Sequence, residues 1–150
     1  MASQMRVTEV GILPKTDSVP PLHTSSAGSD PAQPAPVEGR VVVEIEVTAD
    51  MCDQQGLLAQ GALAFLIDEC STLSMVVANY AEDRPSPPGV SCNISVGFHG
   101  VARQGTTLRI VNRSLSVGRG LNSGRSDVWC TQQNKIIATG TQTTMPPSQL

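Results

Sequence analysis

The sequence predicts an α+β domain in which a curved antiparallel sheet wraps around one long central helix. Three patterns carry that prediction. Val41, Val43, Ile45 and Val47 alternate with Val42, Glu44 and Glu46, the period-two rhythm of a half-buried strand. The stretch from about Ala59 to Ala78 holds no proline and sets Leu63, Leu66, Ile67, Cys70, Leu73 and Val77 at helical spacing, roughly five turns or about 30 Å. Everything beyond it alternates again, in short runs separated by turn residues.

Taken in order, residues 1–38 are expected to form a flexible leader. From Pro14 to Pro36 the composition is dominated by Pro, Ser, Ala, Asp and Gln, which bury too little apolar surface to offset the entropy of ordering. Ahead of it, Val7, Val10, Ile12 and Leu13 make a short apolar patch that could pack on the body or on a partner subunit. One folded domain is expected over 39–145, followed by a tail at 146–150. Its first strand runs into an irregular segment through Gly56, and then the helix begins. Arg84-Pro85-Ser86-Pro87-Pro88-Gly89 ends the helical unit, because proline lacks a donor and disfavours helical geometry in the residue before it. Val90, Cys92, Ile94, Val96 and Phe98 then alternate with polar residues and His99 as a strand. Further strands are expected from about Thr107 to Val117, Asn122 to Thr131 and Lys135 to Thr144, with hairpin turns at Gly118-Arg119-Gly120 and Gln133-Asn134. The order is strand, helix, then a four-strand meander. Such a sheet leaves one face and two edges uncovered, so self-association as a dimer or dimer of dimers is expected.

Composition narrows the function classes. The 150 residues fit one domain. Aromatic residues are limited to Phe65, Tyr80, Phe98 and Trp129, too few to interleave with bases, which argues against single-strand nucleic-acid binding. The net charge of −3 hides an asymmetry: residues 84–150 hold seven basic side chains against Asp127 alone, whereas residues 1–83 hold three basic and twelve acidic ones. The cationic half either attracts a phosphorylated ligand or keeps sheet edges soluble. Cys52, Cys70, Cys92 and Cys130 are widely spaced and lie in apolar or strand-like runs, as buried free thiols of a reducing compartment do. No uninterrupted apolar run reaches the ~18 residues of a membrane span. An intracellular protein is expected, cytoplasmic first, with peroxisome or mitochondrion as alternatives. A serine-hydrolase elbow G-x-S-x-G is missing, and the spacing of His and Cys suggests no metal site.

The stretch Asp53-Gln54-Gln55-Gly56-Leu57-Leu58-Ala59-Gln60-Gly61 is followed by Leu66-Ile67-Asp68, Ser71-Thr72 and Pro88-Gly89-Val90-Ser91. In this order and spacing the chain resembles the hotdog-fold acyl-CoA thioesterases, specifically the phenylacetate-degradation-like branch. The signature there is N-x-x-G-x-x-H-G-G, a helix with a mid-span aspartate, then P-G-V-S. Gly56, Gly61 and Asp68 fall on their counterparts, and the likeness continues through Gly105 and Gly118-Arg119-x-Leu121. Three positions depart: Ala59 stands where the family has histidine, Gln60 where it has the first glycine of the pair, and Asp53 where it has asparagine. Shifting the comparison by one residue sets Gln54, Gln60 and Glu69 on the asparagine, histidine and aspartate, in the manner of another hotdog branch.

The resemblance implies hydrolysis of an acyl-CoA thioester without metal or redox cofactor. Asp68 would activate water, and the amides at Gln60 and Gly61 would polarise the carbonyl, a task that needs only a backbone N–H. Ser91 would hold the water or the base, from this subunit or an adjoining one. Asp53 and Gly56 would help bind substrate, and Arg84 and Arg119 would meet the phosphates of coenzyme A. Loss of the imidazole at Ala59 supports an alternative, a catalytically impaired hotdog protein that binds an acyl-CoA-like ligand or serves as an assembly subunit. The same scaffold also hosts hydration and dehydration of acyl thioesters.

Overall fold

The computed structural model describes residues 5–15, 37–84 and 87–145. In chain order the elements are β1 (Arg6–Pro14), β2 (Val37–Glu46), a 3-10 turn at Ala49–Met51, α1 (Gln60–Ala81), β3 (Val90–Phe98), β4 (Thr107–Ser116), β5 (Asn122–Cys130) and β6 (Lys135–Met145). All strand pairings are antiparallel, in one six-stranded sheet of order β1-β2-β4-β5-β6-β3.

Helix α1 lies across one face of this sheet. Leu63, Leu66, Ile67 and Cys70 bury against Val41, Val43 and Ile45 of β2, Leu108 and Ile110 of β4, Val128 of β5 and Ala138 of β6. The alternation that marked the first strand therefore names its core face correctly. The close seat of helix on sheet depends on Gly39: a Cβ there would fall 2.2 Å from the Ser74 carbonyl oxygen and 2.8 Å from the Ala78 nitrogen. By length and composition α1 could cross a membrane, with a mean hydropathy of 1.5, but half of that window is buried inside this fold, as a core helix requires.

Two expectations need correction. The segment 1–38 is not leader throughout. Residues 6–14 form β1, which pairs antiparallel along β2 from Arg6↔Glu44 to Pro14↔Val37. Its apolar residues stay exposed (Val7 50%, Val10 60%), so β1 is held by backbone pairing and ion pairs, and it lacks the half-buried alternation by which a strand is recognised. Residues 16–36 and the 146–150 tail lie outside the described residues.

The second correction concerns the meander. β4, β5 and β6 follow one another as expected, but β3 pairs with β6 at the far edge and not with β4. The link from β3 to β4 runs under the helix entry: Leu58 N–H donates to Ala102 O (2.9 Å), Gln104 N–H to Gly56 O (3.1 Å) and Gly105 N–H to Val47 O (2.8 Å). These bonds carry the chain across the sheet to the side of β2. As an edge strand β3 leaves Val90, Ile94 and Phe98 exposed, and Cys92 with them, so the expectation of four buried thiols holds for Cys70 and Cys130 only.

Candidate active site

Asp68 sits in the third turn of α1, on the side that faces β3 and β6. Its neighbours converge from three elements. Ser91 Oγ of β3 donates to Asp68 Oδ1 at 2.8 Å, and Gln142 Nε2 of β6 donates to the same oxygen. Gln142 Nε2 also donates to Ser91 Oγ at 2.7 Å. On the other end of that amide, Oε1 accepts from Ser71 Oγ and, at 3.1 Å, from Thr72 Oγ1. Ser71 and Thr72 lie three and four residues beyond Asp68, the spacing that stacks side chains on one helix face. Gln142 is 1% exposed, while Ser91 reaches solvent. Among the described residues no Lys, Arg or His pairs with Asp68, so its charge is met by neutral donors.

Gln142 escapes a reading of short motifs, but a signal for it exists. β6 turns Ala138, Gly140, Gln142 and Thr144 inward, and a long amide on the buried phase of a strand must find partners for its donors and acceptor.

The remaining residues occupy two other places. At the entry to α1, Asp53 Oδ1 accepts from the amides of Gln55 (2.8 Å) and Leu57 (3.0 Å), and so serves its own loop. Gly56 has φ +71°, a left-handed conformation that suits glycine. Ala59 is the N-cap and supplies no side-chain bond, and Gln60 and Gly61 follow with the first helical amides, which α-helical bonding leaves free. Both residues are exposed. At the opposite end of α1, Arg84 N–H donates to Asn79 O (2.9 Å), and Asn79 of the last turn donates to Asn122 Oδ1 (3.3 Å), which also accepts from Gly118 N–H (2.9 Å) beside Arg119 in the chain. The Arg84 guanidinium is paired with Glu82, and Arg119 is exposed on the β4–β5 turn. Glu69, the base of the shifted comparison, is exposed, and the Ser91 and Gln142 side chains donate to Asp68 instead.

The outer face of the sheet, away from α1, carries a cleft of about 520 Å³ lined by Arg40, Arg109, Arg113, Asp127 and Trp129 among others. Its arginines are engaged. Arg40 pairs with Glu9 (2.8 Å), Arg109 approaches Glu9 and Glu44 (3.9 and 4.0 Å), and Arg113 approaches Glu38 (3.8 Å). Among the described residues no group of three or more His, Cys, Asp or Glu side chains converges as a metal site would require.

No protein-family model matches this chain, and no curated protein matches it in sequence. Solved structures do match. Thioesterase superfamily member 2 of zebrafish is 27% identical with a TM-score of 0.64, over 71% of this chain and 73% of that one. A Streptococcus mutans protein bound to acetyl-CoA is 23% identical with a TM-score of 0.62, over 71% and 79%. PaaI of Escherichia coli, from the phenylacetic acid degradation operon, is 19% identical with a TM-score of 0.58, over 73% of each chain. The open antiparallel sheet with one long helix is the hotdog fold. Its structural neighbours are hotdog-type members of the thioesterase superfamily, PaaI among them, which is the group that the motifs resemble.

Proposed function

We propose that the protein is an acyl-CoA thioesterase that uses Asp68 to activate water. The observation that carries this reading is the fixed carboxylate: Asp68 projects from an apolar helix, is held on one oxygen by Ser91 and Gln142, and meets no cation among the described residues. Water takes position beside it, loses a proton to the carboxylate and attacks the thioester carbonyl carbon. The carbonyl oxygen becomes an oxyanion, the C–S bond breaks, and the departing thiolate of coenzyme A takes up the proton, leaving the free acid.

Helix-start amides at Gln60 and Gly61 suit the oxyanion, but Gln60 lies eight residues before Asp68, about 12 Å along the helix axis. One chain cannot bring both to the same carbonyl. A second copy supplies the missing half, so the active form is a dimer or a dimer of dimers. The exposed edge of β3 and the apolar residues Phe65 and Leu73 on the open side of α1, 42% and 39% exposed, support such pairing. The acetyl-CoA held by the Streptococcus mutans neighbour supports a coenzyme A ligand.

Ala59 favours a second reading, a hotdog protein that holds such a ligand without cleaving it, since the helix cap carries no side chain able to orient substrate. Thiol release from a panel of short, long and aromatic acyl-CoAs decides between them. Release above background supports the enzyme. A saturable thermal shift with coenzyme A and no release supports the binder, and neither would leave an assembly role.

A further inference from the structure

From the same cluster we infer that Gln142 is the positioning residue of the site, and that it divides the work between the two oxygens of Asp68. The inference rests on the thioesterase reading, yet its geometry stands apart from it. A side-chain amide can sit either way round, and here the surroundings allow one orientation. Oε1 faces two hydroxyl donors, Ser71 and Thr72, while Nε2 faces a carboxylate oxygen and a serine hydroxyl. Turning the amide over would set its oxygen against Asp68 Oδ1, acceptor against acceptor, and take the N–H donor away from that carboxylate.

With Nε2 fixed, the hydrogens fall into place. One N–H goes to Asp68 Oδ1 and the other to Ser91 Oγ, so the Ser91 hydroxyl has its own hydrogen free to point at Asp68 Oδ1. Oδ1 thus takes two donors. Among the described residues none is directed at Oδ2. Oδ1 is the anchored oxygen, and Oδ2 is the one that receives the proton of water. Because Gln142 is buried on β6, the base is fixed to the sheet as well as to its own helix, and its carboxylate plane cannot rotate without breaking the triangle with Ser91.

Two variants test this in the intact protein. Gln142→Met fills the volume without donors, and it should lower kcat about tenfold with KM unchanged. Gln142→Glu sets a second carboxylate against Asp68, and it should move the acid limb of the pH–rate profile upward by about one pH unit, a displacement that a purely structural role would not produce. A kcat within about twofold of the parent for Gln142→Met, with an unmoved acid limb for Gln142→Glu, overturns the inference.

Should either variant misfold, or the parent cleave no acyl-CoA, nuclear magnetic resonance of the Gln142 side-chain amide supplies the answer. Two resolved protons in slow exchange with water, which become fast in Asp68→Ala, support the positioning role even if the enzyme reading fails. Fast exchange in the parent overturns it.

Discussion

Two polar regions flank the sheet and solve opposite problems. On the outer face, arginines of β2, β4 and β5 lie against carboxylates of β1, β2 and β5 in exposed pairs such as Arg40–Glu9 and Arg125–Asp127. On the helix side, a single carboxylate, Asp68, is met by an amide and a hydroxyl and by no cation among the described residues. Exposed pairs neutralise charge and contribute little stability each. A carboxylate held by neutral donors keeps its negative charge available for chemistry. Arg109 and Arg113 approach Glu9, Glu44 and Glu38 of the acidic N-terminal half, so part of the charge asymmetry of the sequence is offset across strand pairings. Lone glutamates and arginines on a face therefore say less about ligands than one carboxylate with the wrong neighbours.

Breaking the helix-side cluster should have the largest effect. Asp68→Asn keeps an oxygen for Ser91 and Gln142 to donate to but removes the proposed base, and turnover should fall by about 10² to 10⁴ with the melting temperature preserved. Gly39→Ala tests the platform that both regions share: its methyl must displace the Ser74 carbonyl, and chemical denaturation should show a loss of about 1–3 kcal/mol. Thiol chemistry sharpens the same division between inside and outside. Burial, together with the charge of Glu69, pushes the Cys70 thiol up to about 12, so at neutral pH it stays protonated and should resist alkylation while exposed Cys92 reacts; mass spectrometry of the labelled protein reads both.

The outer face gives the smallest effect. Arg40 donates to Glu9 and holds its carboxyl below the usual range. A folded-state value below the unfolded one stabilises above the ordinary carboxylate range and is lost as pH falls through the lowered value. Protection factors of the β1 amides, that is exchange rates corrected for their intrinsic pH dependence, should therefore fall slightly on acidification in the parent, and Glu9→Gln should remove that fall.

How much of this was legible in the sequence differs between the two regions. Val41, Val43 and Ile45 announced their strand and its core face, and the spacing of Leu63, Leu66, Ile67 and Cys70 announced the helix, because period and burial have one cause in each element. β1 was illegible because both its faces are exposed, and alternation arises only when one face is buried. The edge position of β3 was illegible for a different reason: alternation fixes which side chains share a face but not which strand lies next, and here the link beneath the helix entry decides that. At the site, Asp68 and Ser91 were found through short motifs and do meet at 2.8 Å. Gln60 and Gly61 stand about 10 to 12 Å along the helix from Asp68, a separation that helical rise already implied. Gln142 stood on an inward phase that was readable, but its partners lie on two other elements, which only the folded chain brings to it.

One assay separates the neutral-donor cluster from the arginine face as the seat of the proposed chemistry. Thiol release from the best acyl-CoA of the panel would be measured for Asp68→Asn and Arg113→Ala beside the parent, with folding of each checked by its melting curve. Near-complete loss is expected in the first and a rate like the parent's in the second. Retained release by folded Asp68→Asn, or loss confined to Arg113→Ala, would contradict this expectation.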